Sequence, residues 1–233
     1  MSMKFYSEGV NRKYLSIKLG QLFYPTQAPE DKQAQNYTSK ITQDSKGNKY
    51  NNEGLWFEAI ESVIYGVRFY DTQYGTNINI ELADGYILSD KIDSRTGTQL
   101  MDMLPSIDLS KPVYIKPYDF NGDDGKRVRG ILLKQDDVKI EPFFFDKKAK
   151  SYPEDFPKVP VAPKNGKISS QAWILYFGNI AMTLREKVQA WSESAKFDNP
   201  FTKDVEPTQY PDEETEVTDP ILDGKDEVDN LPF

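Results

Sequence analysis

The chain has 233 residues, is 38% hydrophobic and 13% aromatic, and carries a net charge of −8. It contains neither Cys nor His, which excludes disulfides, thiol nucleophiles, imidazole bases and nearly all zinc chemistry. No stretch approaches ~20 apolar residues, and "MSMKFYSEGVNRKY" lacks a signal-peptide core, so a cytoplasmic protein without a membrane span is expected.

In chain order, "KYLSIKLGQLFY" (13–24) alternates as a half-buried strand, with Leu15, Ile17 and Leu19 on one face and Tyr14, Ser16 and Lys18 on the other. Residues 25–54 are polar and read as a long loop or an open hairpin. The segment 55–85 reads as two or three strands. Val63, Tyr65, Val67 and Phe69 share one face there, and Arg68 and Tyr70 share the other; "DTQYGT" is a turn and Ile78, Ile80 and Leu82 resume the core. "SRTGTQLMDMLPS" predicts a short helix stopped by Pro105. "KPVYIKPYDF" is a strand with Val113 and Ile115 inward and Tyr114, Lys116 and Tyr118 outward, and "RVRGILLKQDDVKIEPFFF" completes a hairpin.

Four prolines in 153–163 mark a Pro-rich linker over 151–168. Trp173, Phe177, Ile180, Leu184, Val188 and Trp191 recur at helical spacing and predict a long helix over about 169–196, with Ser169 or Ser170 as N-cap. Its stripe fits core packing, with a dimer seam as the alternative. The expected class is mainly β: about five or six strands in an OB-fold-like small barrel, with one long C-terminal helix.

Charge divides the chain. Residues 198–233 hold twelve acids against Lys203 and Lys225, a net −10, so the body 1–197 is +2. Acids, five prolines and few apolar residues predict a disordered acidic tail over 198–233. On the body, Tyr114, Lys116 and Tyr118, together with Arg68 and Tyr70, interleave rings with cations on non-core strand faces, and Arg127, Arg129 and Lys134 lie in a nearby hairpin. Such surfaces hold single-stranded nucleic acid, because bases stack on rings while Lys and Arg meet phosphates. Trp56 is either a further platform or core. "DFNGDDGKR" reads as a hairpin turn, not a calcium loop: Asp124 stands where the sharp-turn Gly belongs and Gly130 where the bidentate Glu belongs. No metal or cofactor is expected.

The ending carries a resemblance. Asp226, Glu227 and Asp229 precede Leu231, Pro232 and Phe233, and this dozen-residue terminus resembles the tip of bacterial-type single-stranded DNA-binding proteins and several phage counterparts. The resemblance implies a non-enzymatic protein that coats single-stranded DNA in replication, recombination or repair, without sequence specificity. It also implies docking of the tip on replication or recombination proteins, and a bacterial host cytoplasm if the chain is phage-encoded. In such a tip a pocket buries the Phe ring while basic groups hold the acids. The alternative is an interaction adaptor that uses the same tip but binds no nucleic acid. A carboxylate-metal nuclease lacks a recognisable acid cluster with a Lys.

Overall fold

The computed structural model describes residues 12–43, 47–123, 125–163 and 166–197. Among the described residues, eleven strands form two sheets, accompanied by two α-helices. The larger consists of β1 (Lys13–Lys18), β2 (Gln21–Pro25), β3 (Tyr37–Gln43), β4 (Lys49–Phe57), β6 (Ile64–Thr72), β7 (Gly75–Leu82) and β8 (Tyr86–Lys91), in the order β3-β4-β2-β1-β8-β7-β6. The smaller runs β11 (Val138–Lys139), β10 (Arg127–Gln135), β9 (Val113–Asn121), β5 (Ile60–Ser62). All neighbours are antiparallel except β1 and β8, which run parallel. The helices are α1 (Arg95–Met103) and α2 (Ser170–Ser194).

The mainly β class and the long C-terminal helix are as expected, but the strands are more numerous and close no barrel. Both edges at which closure would occur are occupied. The outer edge of β8 pairs with β1. On the outer edge of β10, the Ile131 N–H donates to Gln99 Oε1 of α1 (3.0 Å), the Ile140 N–H donates to Leu133 O (2.9 Å), and β11 pairs beside them.

Two local readings are corrected. Residues 13–24 are a hairpin, not one strand: Leu19 (φ 50°) and Gly20 (φ 68°) make a two-residue turn of the left-handed kind that matches strand twist. Leu19 is therefore exposed instead of lying in the Leu15 row. Gly20 is required twice over, since a Cβ there would lie 2.4 Å from the Asp119 backbone N. In β6 the register shifts between Ile64 and Gly66, which breaks the expected common face of Val63, Tyr65, Val67 and Phe69; Ile64 and Val67 are the buried pair. The polar stretch 25–54 contains the β3–β4 hairpin.

The core lies between the inward face of the large sheet (Leu15, Leu22, Val67, Ile78, Ile80, Leu88), the small sheet (Val113, Ile115, Ile131, Leu133) and the helices. Ser94 caps α1 by accepting from the Gly97 N–H (2.8 Å), and Ser169 caps α2. The α2 stripe goes into the core: Ile180, Leu184 and Val188 are buried, and Trp173, Phe177 and Trp191 pack against them. Ile174, Leu175 and Met182 on the other side stay exposed. Within 151–168, Phe156 is buried against Phe144 and Tyr152. Asp102 of α1 anchors this aromatic group. Its Oδ1 accepts from the N–H groups of Phe144 (2.8 Å) and Phe145 (3.2 Å), and Oδ2 accepts from Tyr152 Oη (3.4 Å). Burial pushes the Asp102 carboxyl up from its ordinary value, against those hydrogen bonds. Among the described residues no helix is long and apolar enough to cross a membrane.

Candidate nucleic-acid interface

Strand alternation on β9 buries Val113, Ile115 and Pro117 and turns Tyr114, Lys116, Tyr118 and Phe120 outward. Register sets Tyr114 opposite Lys134, Lys116 opposite Leu132, Tyr118 opposite Gly130 and Phe120 opposite Val128. Lys134 Nζ lies 6.0 Å from the Tyr114 ring centroid. A Cβ on Gly130 would meet Tyr118 Oη at 2.3 Å, so glycine is what lets that ring lie across β10. The Tyr118 and Phe120 centroids are 5.9 Å apart with planes at 42°. Phe120 is 55% exposed. It is absent from the sequence-derived set because "DFNG" reads as turn; continuing the alternation past Tyr118 finds it.

Arg127 and Arg129 do not join this face. The same register puts both on the reverse side with Asp119. Arg127 makes a two-pronged ion pair with Asp119 (2.7 Å on each prong), and Arg129 Nε lies 3.3 Å from Asp119 Oδ2. The hydrogen bond to Asp119 raises the Arg127 pKa further. Asp119 is thereby committed, which fits the hairpin-turn reading of this segment.

Arg68 and Tyr70 lie on the outward face of the large sheet, a different surface from Tyr114 to Phe120. Register carries that face across the sheet through Asn79, Ser89, Tyr14, Ser16, Phe23 and Trp56. Lys18, Lys40, Arg68 and Lys91 share it, with Arg12 just ahead of β1, while among the described residues Glu81 is its one acidic strand residue. Glu81 faces Arg68 (3.2 Å) and Arg12 (3.6 Å). Lys18 Nζ donates to Asn52 Oδ1 (2.6 Å) and lies 5.0 Å from the Phe23 ring; Lys40 bonds Gln21 and lies 4.5 Å from the Trp56 ring. Trp56 itself is 4% exposed, packs on Phe23, and donates Nε1–H to Thr38 O (3.2 Å). Its ring supports a lysine and has no open face for a base.

The tip residues Asp226, Glu227, Asp229, Leu231, Pro232 and Phe233, like the whole of 198–233, lie outside the described residues. Comparison with protein-family models, with curated proteins and with solved structures gives no match to this chain.

Proposed function

We propose that this protein binds single-stranded DNA without sequence specificity and recruits replication or recombination proteins through its acidic C-terminal tip. The observation that carries the reading is the charge segregation on the large sheet. A body of net +2 gathers Arg12, Lys18, Lys40, Arg68 and Lys91 around a single strand carboxylate, Glu81, on one outward face. Such a face attracts a polyanion by counterion release and needs no base-specific contact. The outward rings Tyr114, Tyr118 and Phe120, beside Lys116 and Lys134, supply stacking worth ~1–3 kcal/mol per base.

The strand order supports an open OB-like unit as the scaffold. In this reading β5 and β6 act as one bent strand shared by both sheets, followed by β7, β8, α1, β9 and β10, with β1 inserted beside β8. The −10 tail competes with phosphates for the cationic face and is displaced by DNA, which makes the tip available to partners.

The exposed Ile174, Leu175 and Met182 on α2 favour the rival reading, an interaction adaptor without nucleic-acid binding. Titration with oligo-dT, followed by tyrosine and tryptophan fluorescence, separates the two. Saturable quenching that weakens with salt is expected, and its absence leaves the adaptor.

A further inference from the structure

The parallel ladder between β1 and β8 is short. It pairs Lys13 with Tyr86, Tyr14 with Ile87 and Leu15 with Leu88. Beyond that point β1 bonds to β2, through Ser16–Phe23, Ile17–Leu22 and Lys18–Gln21, while β8 bonds to β7. Where the strands part there is a cleft of about 320 Å³. Tyr14, Leu15, Ile17 and Pro25 give it apolar walls, Ser16, Asn77 and Ser89 bring uncharged polar groups to it, and Lys91 stands on its lining. Asp90 also lines it but is committed elsewhere: it accepts from Ser94 Oγ (2.9 Å), from Thr96 Oγ1 and from the Lys91 N–H (2.9 Å), tying the cleft to the start of α1. Ser16, Asn77 and Ser89 make no side-chain hydrogen bond to any of the described residues.

Size and chemistry narrow the occupant. A closed cavity of roughly 150 Å³ holds benzene, and small-molecule sites begin near about 300 Å³. The cleft, open to solvent on one side, has room for one planar heterocycle. Apolar walls match the faces of such a ring. Hydroxyl and amide groups, which both donate and accept, match an edge bearing both kinds of group. The cleft opens among residues of the outward face that also bears Lys18, Arg68 and Tyr70.

We propose that the cleft between the parting strands β1 and β8 takes one nucleobase of the bound strand, with Ser16, Asn77 and Ser89 hydrogen-bonding its edge. The inference rests on the single-strand reading above and adds an uncharged contact to it. Because the three side chains can each donate and accept, the cleft accepts different bases. Because none of the three carries a charge, removing any one of them leaves the salt dependence of binding unchanged.

The test titrates the wild-type protein and the Asn77→Ala and Ser89→Ala variants with oligo-dT and with an abasic strand of equal length, at several salt concentrations. Each variant should bind oligo-dT about 2- to 10-fold more weakly, the loss of one hydrogen bond, with the wild-type salt slope and unchanged binding to the abasic strand. Ser16→Leu, which fills the cleft, should give a larger loss of the same pattern. Unchanged oligo-dT binding in all three variants, an altered slope, or an equal loss on the abasic strand overturns the base site while leaving strand binding standing. Failure of the wild-type protein to bind oligo-dT overturns both. If Asn77→Ala does not fold, Ser89→Ala decides, since it removes only a partly exposed hydroxyl.

Discussion

The outward faces of the two sheets are built from the same residue types but layer them differently. On the large sheet the rings lie underneath: Phe23 and Trp56 are buried, and Lys18 and Lys40 lie over them. On the small sheet the far end of β9 reverses this, since Phe120 is exposed and Tyr118 lies across Gly130, while Lys134 lies over Tyr114 at the near end. The first surface offers a polyanion charge whose positions are fixed by aromatic seats. The second offers π-faces. Aromatic–basic alternation along a strand therefore does not by itself say which of the two is outermost.

The largest expected effect separates these roles. Replacing Tyr114 and Tyr118 by Ala should weaken oligo-dT binding by ~1–3 kcal/mol for each stack removed, with the slope of log K against log salt unchanged. Replacing Lys18 and Lys40 by Ala should instead flatten that slope, by about 0.7 for each phosphate no longer neutralised. Salt-dependent titration of both double variants checks the contrast; a flattened slope in the tyrosine variant would erase it.

A smaller effect should follow removal of 198–233. Taking away a tethered −10 should tighten binding at low salt, by less as salt screens the tail. Deleting Phe233 alone should leave DNA binding unchanged while abolishing capture of a replication protein in a pull-down. Equal capture by both proteins would remove recognition from the tip.

The smallest effect concerns stability and lies away from both faces. Asp102 has a folded pKa raised above its ordinary value of 3.8, so its ionisation costs stability as pH rises from there through the raised value, and the cost vanishes below. Asp102→Asn keeps an Oδ1 for the Phe144 and Phe145 N–H groups and places a donor toward Tyr152. The variant should melt at or above the wild-type temperature near neutral pH, with the difference shrinking toward about pH 4. Thermal melts at both pH values measure it; a variant less stable at neutral pH would show that the charged hydrogen bonds outweigh desolvation.

Much of the body is legible in the sequence because burial imposes periodicity. The alternation of Val113 and Ile115 with Tyr114 and Lys116, and the spacing of Ile180, Leu184 and Val188, both reflect packing on one core. Legibility fails where two influences compete. Leu19 extends an apolar row, yet Gly20 and the close approach of Asp119 force the chain to reverse there. Arg127 and Arg129 are close in sequence to the aromatic strand, but cross-strand parity puts them behind it with Asp119. Membership of different sheets separates Arg68 and Tyr70 from Tyr114. The β1–β8 cleft carries no sequence signal, because it arises where two strands distant in the chain stop pairing.

That parallel pairing also governs when the molecule can be assembled. Lys13 finds its partner only at Tyr86, more than seventy residues later. At a synthesis rate of ~5–20 residues per second, the first strand waits roughly 4 to 15 s before β8 exists. Throughout that interval the β1–β2 hairpin carries Leu15 and Leu22 uncovered, beside an edge with nothing to pair with. Hairpins themselves form in microseconds. Delay in making the centre of the sheet, rather than slowness of any local step, thus sets the period in which the nascent chain is most exposed to aggregation.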